Sequence, residues 1–315
     1  MSPCRPPRLK VRGQSVYKSR GTSYLDLDDL ACVTSRPEDV VGLHFFSPAD
    51  VMKLLEVADT AKGSDRTLAT ALDFAKQLGK QAVVAGASEG FIGNRIYAAY
   101  RRSAEFLIED GATPQDVDAA ATGFGFALGP FAVGDMSGLD IAWQMRKRQA
   151  ATRDPDTRYV DIPDRLCEAG RLGRKAGAGW YDYVEGRAVP SDVVGMLIAQ
   201  ARKDKGISAR PVSENEITDR LLGAILGEAA KVLAEGIARQ SGDIDVTLVH
   251  GYGFPKWTGG PLWWASQQTP ERLAAMIAAV AKAEGIEADV GRLEAALAPL
   301  RAEQNEIERL KAGYD

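Results

Sequence analysis

Val40-Val41-Gly42-Leu43-His44-Phe45-Phe46-Ser47-Pro48-Ala49-Asp50-Val51-Met52-Lys53-Leu54-Leu55-Glu56-Val57 is the stretch on which the fold turns. Two runs of strand length, residues 40–46 and 51–57, are rich in β-branched and aromatic residues, and Ser47-Pro48 punctuates them, as expected of two short buried strands. Each run carries one titratable residue in its apolar part, His44 in the first and Glu56 in the second. A buried lone carboxylate is costly unless paired, so a glutamate within Leu54-Leu55-Glu56-Val57 needs an N–H or cationic partner, for which His44 is the candidate. Register decides whether they meet. If opposed residues in an antiparallel pair sum to an even number such as 98 (42 + 56), Glu56 lies opposite Gly42 and shares a face with His44 as a diagonal neighbour, about 7 Å away at Cβ. An odd sum places them on opposite faces. These two residues alone leave open a core histidine satisfied by a backbone carbonyl and a glutamate at a sheet edge.

A third polar residue, Asn94, follows in Glu89-Gly90-Phe91-Ile92-Gly93-Asn94-Arg95. From Ser88 onward Phe91, Ile92, Ile96, Ala99, Tyr100 and Ala104 recur at three- and four-residue spacings, which predicts a long helix with one buried stripe and Asn94 in its first turns. Asparagine is a mediocre helix former that often caps, and its amide can also donate to a carbonyl oxygen while accepting from a neighbour.

Gly42-Leu43-His44-Phe45-Phe46-Ser47-Pro48, Met52-Lys53-Leu54-Leu55-Glu56-Val57 and Gly90-Phe91-Ile92-Gly93-Asn94-Arg95 together resemble the signature of the 3-hydroxyacyl-CoA dehydrogenase family, in particular the dehydrogenase part of the multifunctional fatty-acid oxidation enzymes. The likeness runs from Thr22 to nearly the end of the chain. It implies an α/β remnant of a Rossmann-like dinucleotide-binding domain followed by two duplicated all-α C-terminal domains. It also implies NAD as cofactor and a 3-hydroxyacyl-CoA substrate, with His44 as general base, Glu56 orienting it, and Ser23 and Asn94 on the 3-oxygen. Ser47, Lys175 and Ser23 fall on the cofactor side. A helical domain of the 6-phosphogluconate dehydrogenase type is the weaker match, because it lacks this pair of strand motifs.

The residues themselves support a division at these places. Residues 1–21 carry six Lys or Arg, three Pro and no acid, and read as a poorly ordered basic tail or an artefact of where the reading frame begins. The prolines spoil an amphipathic transit helix, and no apolar core for a secretory signal is present. Residues 22–86 form the remaining sheet domain, with Ser23 and Asp26 suggesting an N-cap box ahead of Leu27, Leu30 and Ala31, a helix near 66–78 and a strand at 82–85. Relatives begin with a strand and a Gly-x-Gly-x-x-Gly turn that holds the dinucleotide pyrophosphate, and nothing here matches it, so an N-terminally truncated lineage with an incomplete, weakly NAD-binding site is expected. Gly21 stands where relatives usually carry asparagine.

Residues 87–186 and 212–315 share ordered landmarks, with 187–211 as a partly helical connector. Glu109-Asp110-Gly111, Asp116-Val117-Asp118, Gly123-Phe124-Gly125-Phe126 and Gly129-Pro130 reappear as Glu235-Gly236, Asp243-Ile244-Asp245, Gly251-Tyr252-Gly253-Phe254 and Gly260-Pro261. This reads as a duplicated helical unit forming an intramolecular pseudo-dimer. Between the copies, Lys175 sits in a glycine-rich basic turn closed by Trp180, Tyr181 and Tyr183; Trp257, Trp263 and Trp264 read as core aromatics and His250 as structural.

A net charge of −4 implies no nucleic-acid footprint, and no apolar run approaches the roughly 20 residues of a membrane span. Three scattered cysteines and two histidines argue against a disulfide framework or a metal centre and suit a reducing compartment. With no peroxisomal C-terminal signal, a bacterial-type cytoplasmic location is expected, with a hydratase or thiolase as possible partner. The rival reading is a catalytically incomplete acyl-CoA-binding or assembly subunit.

Overall fold

The computed structural model describes residues 8–11, 14–17 and 27–312. In chain order the elements are β1 (Arg8–Val11), β2 (Gln14–Tyr17), α1 (Leu27–Cys32), β3 (Gly42–Phe45), β4 (Leu54–Asp59), α2 (Asp65–Gln77), β5 (Gln81–Gly86) and α3 (Gly93–Asp110). There follow α4 (Pro114–Phe124), α5 (Pro130–Ser137), α6 (Leu139–Gln149), α7 (Ile162–Glu168), β6 (Asp182–Val184), β7 (Arg187–Val189) and α8 (Asp192–Asp204). The chain closes with α9 (Glu214–Ala234), α10 (Ser241–Gly251), α11 (Pro261–Ser266), α12 (Pro270–Glu284) and α13 (Val290–Ala312). Packing divides it into two units. One comprises the chain up to Ala98 with Leu226–Thr269 and the residues from Gly291, and the other Ala99–Ile225 with Pro270–Val290.

In the first unit β3, β4 and β5 form a sheet in that order, β3 antiparallel and β5 parallel to β4. Alternation assigns the two faces. Leu43, Leu55 and Val57 pack with Ala71 and Ala75 of α2, so Gly42, His44, Leu54, Glu56 and Ala58 point to the other face, against which α10 lies. All but the last residue of β4 is buried, as expected of a strand covered on both sides. Helix α2 starts where the Ser64 hydroxyl accepts from the Thr67 N–H, and the strand expected at 82–85 is β5. Within the stretch expected to be a poorly ordered basic tail, residues 8–11 and 14–17 pair as an antiparallel ladder, β1 with β2. The cap proposed at Ser23 lies outside the described residues.

In the second unit a network of buried ions fixes the helices. Arg146, 9% exposed, reaches Glu105 at 3.0 Å and Asp164 at 3.0 Å, while Glu109, 1% exposed, takes both Arg158 at 2.9 Å and Lys205 at 2.5 Å. The turn carrying Lys175 is held by Asp135, which accepts from the Trp180 and Tyr181 N–H groups at 2.8 and 3.0 Å. Only a glycine fits at 179, because a Cβ there would come within 1.9 Å of an Asp135 oxygen. The connector expected at 187–211 contains β7 and α8.

One local device occurs twice. Helix α5 begins at Gly129-Pro130 with no capping side chain of its own, and Asp118 of α4 accepts from Phe131 N–H and Ala132 N–H, both at 2.9 Å. Helix α11 begins at Gly260-Pro261 in the same way, with Asp245 of α10 accepting from Leu262 N–H at 2.7 Å and Trp263 N–H at 3.1 Å. Both α4 and α10 start with a capping box, Thr113 with Asp116 and Gln240 with Asp243. The borrowed carboxylate satisfies two orphan donors at the positive end of the short helix, while burial pushes its pKa up, to about 6 at Asp118 and about 7 at Asp245. Asp245→Ala leaves the buried Leu262 N–H and the partly buried Trp263 N–H unmet and is expected to cost about 2 kcal/mol, read from urea unfolding. A loss below about 0.5 kcal/mol would show that water replaces the carboxylate there.

Candidate active site

His44 Nδ1 lies 2.6 Å from Glu56 Oε2. The register is 100 rather than 98: His44 faces Glu56 directly, and Gly42 pairs with Ala58. The even parity put the two on one face, and the direct pairing replaces the diagonal one because the ladder is shifted by one residue pair. Glu56 is wholly buried and His44 keeps 17% of its side chain exposed, so the imidazole is the pair's opening to solvent.

Glu56 is also tied to the start of α3. Its Oε1 accepts from Ile92 N–H at 3.2 Å and Gly93 N–H at 2.9 Å. The backbone ahead of these donors is left-handed, with φ of 80° at Gly90 and 48° at Phe91. A left-handed bulky residue is uncommon and strained, and here it turns consecutive N–H groups toward one anion, as a backbone nest does at a helix N-terminus. A carboxylate accepts only, so Nδ1 carries the hydrogen shared with Oε2 and Nε2 keeps its lone pair for a proton. The ring sits between aromatics, its centroid 4.6 Å from Phe46 and 5.8 Å from Phe91.

Asn94, in the first turn of α3, is half-buried, and its Oδ1 accepts from the Tyr252 hydroxyl at 2.7 Å. Tyr252 packs edge-on against Phe46, with centroids 5.4 Å apart. His44, Glu56, Asn94, Phe46 and Tyr252 therefore form one continuous constellation in the first unit. Ser47 is exposed just beyond β3. Ser23 lies outside the described residues, so the constellation is described without it. Lys175 belongs to the second unit, where it is ion-paired with Asp140 at 2.6 Å in an exposed turn. His250 titrates below the usual imidazole range because of burial and the nearby charges of Lys256 and Lys53, consistent with a neutral structural role. Among the three tryptophans read as core, Trp264 is buried, whereas Trp257 is 74% exposed because it lies in a short 3-10 turn between α10 and α11. Neither Tyr252 nor the two N–H donors to Glu56 was legible as a site group; the tyrosine is 158 residues from its partner, and the sequence shows it only as part of the Gly251-Tyr252-Gly253-Phe254 landmark.

Among the described residues no group of three or more His, Cys, Asp or Glu is placed to hold a metal, and no helix is long and apolar enough to cross a membrane. Comparison with known proteins matches residues 13–88 to the family model for the 3-hydroxyacyl-CoA dehydrogenase NAD binding domain, and residues 90–183 to that for the 3-hydroxyacyl-CoA dehydrogenase C-terminal domain. The chain is 44% identical over 284 residues to the peroxisomal bifunctional enzyme of Danio rerio, covering 86% of this chain and 38% of that protein. It is 44% identical over 259 residues to the peroxisomal bifunctional enzyme of Cavia porcellus, 78% of this chain and 36% of the relative. The crystal structure of the dehydrogenase part of multifunctional enzyme 1 from C. elegans superposes with a TM-score of 0.62 at 26% identity, covering 86% of this chain and 63% of that one. The chain thus spans somewhat over a third of the length of these curated relatives. The expectation of a bacterial-type cytoplasmic location does not stand, because the relatives at 44% identity are peroxisomal enzymes. A Rossmann-like NAD-binding domain joined to a helical C-terminal domain is the architecture these matches establish.

Proposed function

Because the chain belongs to the 3-hydroxyacyl-CoA dehydrogenase family, we propose that it oxidises a 3-hydroxyacyl-CoA to the 3-oxoacyl-CoA with NAD, as a step of fatty-acid β-oxidation. The observation that carries this reading is the 2.6 Å contact between half-open His44 and wholly buried Glu56 at the foot of α3. NAD, when bound, supplies the hydride acceptor at C3. Pyrophosphate in such domains rests on a glycine-rich turn between a strand and a helix, and the described strands and helices include no such turn, so these residues do not themselves form the phosphate cradle. Their contribution lies at the proton and the 3-oxygen.

His44 Nε2 takes the 3-hydroxyl proton as the C3–H bond breaks, and Glu56 stabilises the imidazolium and holds the ring with Nε2 outward. Asn94 donates from its amide to the 3-oxygen as that becomes a carbonyl. By family likeness Ser23 joins Asn94 there, and Ser47 and Lys175 serve the nicotinamide nucleotide. Support for two duplicated helical domains, 87–186 and 212–315, comes from the repeated landmarks and from the twice-used Asp118 and Asp245 caps, with 187–211 connecting them and 22–86 as the sheet domain. In this reading the second domain takes the place of a dimer partner, and by family likeness a hydratase or thiolase is the partner. A second reading is an acyl-CoA-binding or assembly subunit, in which these residues hold the CoA ester without turning it over.

The two readings separate in one experiment, NADH titration by calorimetry beside acetoacetyl-CoA reduction at raised NADH. Turnover that disappears in His44→Gln is the expected result. Binding of the CoA ester without turnover would replace it with the second reading.

A further inference from the structure

Tyr252 lies far along the chain from the motifs that define the site, yet its hydroxyl contacts the Asn94 amide directly. We propose that Tyr252 is a positioning residue that sets the direction of the Asn94 amide, turning its N–H end toward the 3-oxygen of the acyl-CoA; this rests on the reading of the site given above. An asparagine amide is symmetrical in shape and opposite in polarity at its two ends, so a free side chain could present either oxygen or nitrogen to the substrate. A phenol hydroxyl donating to Oδ1 at 2.7 Å stabilises one of the two orientations. The oxygen is engaged on the tyrosine, and the two amide hydrogens are left as the groups that can meet a carbonyl or alkoxide oxygen. The reverse orientation would aim the amide oxygen at a developing oxyanion.

The surroundings are shaped for this contact. Gly93, next to Asn94, has no side chain where a Cβ would come within 2.2 Å of the Tyr252 ring, so the ring lies directly on the first turn of α3. Phe46 meets it edge-on at 5.4 Å and Tyr97 flanks it at 5.5 Å between centroids, which restricts swinging of the hydroxyl. Phe46 in turn touches His44, so the ring that carries the hydroxyl packs on the ring that packs on the base. In the earlier series of landmarks the corresponding residue of Gly-aromatic-Gly-Phe is Phe124, which has the ring and lacks the hydroxyl. The hydroxyl is present in the copy that reaches Asn94.

Tyr252→Phe keeps the packing and deletes only the donor. The test is calorimetric binding of acetoacetyl-CoA and of CoA to the wild-type chain, Tyr252→Phe, Asn94→Ala and the double variant. The expected result is acetoacetyl-CoA binding weakened about 5- to 20-fold in Tyr252→Phe with CoA within about two-fold of wild type, and a double variant no weaker than Asn94→Ala alone. An unchanged preference for acetoacetyl-CoA over CoA in Tyr252→Phe overturns the proposal, as does an additive double variant. Equal weakening of both ligands replaces it with a purely structural role. A wild-type chain that does not distinguish the two ligands removes the underlying reading of the site, and the inference with it.

Discussion

His44→Gln lowers the rate of 3-hydroxyacyl-CoA oxidation by about 10²- to 10⁴-fold while leaving CoA-ester affinity within a few-fold. Glutamine is the informative replacement because its amide can still donate to Glu56 Oε2, so the wholly buried carboxylate is not stranded and loss of folding does not masquerade as loss of catalysis. What disappears is the nitrogen lone pair facing solvent. Without it the hydroxyl proton must pass to water while hydride leaves C3, and general-base catalysis of this kind accounts for the stated range. The measurement is steady-state oxidation of 3-hydroxybutyryl-CoA followed at 340 nm, beside calorimetric binding of the ester. A variant within tenfold of wild type would remove His44 from the proton path, and loss of ester binding would show the ring to be a wall of the site instead.

Much of this site could be read in advance because its chemistry is local in the strands. A histidine and a glutamate in adjoining apolar runs share a face whenever the ladder parity is even, but in a strand buried on both faces the sequence leaves that parity open, and the structure settles it as even. The residue pair directly opposed was not readable, since the register is fixed by the loop between residues 46 and 53 and by packing on α2. Asn94 was readable as a first-turn residue from the three- and four-residue spacing after Ser88. The donors to Glu56 were hidden for a different reason. They are backbone N–H groups that any sequence carries, and they become a site only through the left-handed φ at Gly90 and Phe91, of which only the glycine leaves a mark in the sequence. Tyr252 was hidden by distance. The caps on α5 and α11 lie between: an aspartate followed by a Gly-Pro recurs in the chain, 12 residues apart from Asp118 to Pro130 (130 − 118) and 16 from Asp245 to Pro261 (261 − 245), but the bond from aspartate to helix start exists only in three dimensions.

Glu56 should respond in opposite ways to two substitutions, because it has both a structural and a chemical task. Glu56→Ala leaves Ile92 N–H, Gly93 N–H and His44 Nδ1 without their acceptor at a position with no solvent access, and opens a cavity beside β5. A loss of about 3–5 kcal/mol in urea unfolding is expected, the scale of removing one partner from a buried charge-assisted network. Glu56→Gln keeps an oxygen for the two α3 donors and is expected to lose no more than about 1–2 kcal/mol. Its amide nitrogen, however, now faces His44 as a donor. Nδ1 must then accept, the ring hydrogen moves to Nε2, and the base is presented to the substrate already protonated. A fall of about 10³- to 10⁴-fold in kcat follows, comparable to the effect of fixing the wrong tautomer in a serine-protease triad. A Gln variant that folds and turns over within tenfold of wild type would show that the glutamate serves only to fasten β4 to α3; a Gln variant as unstable as the Ala variant would show that its negative charge, rather than its oxygen, holds the helix start.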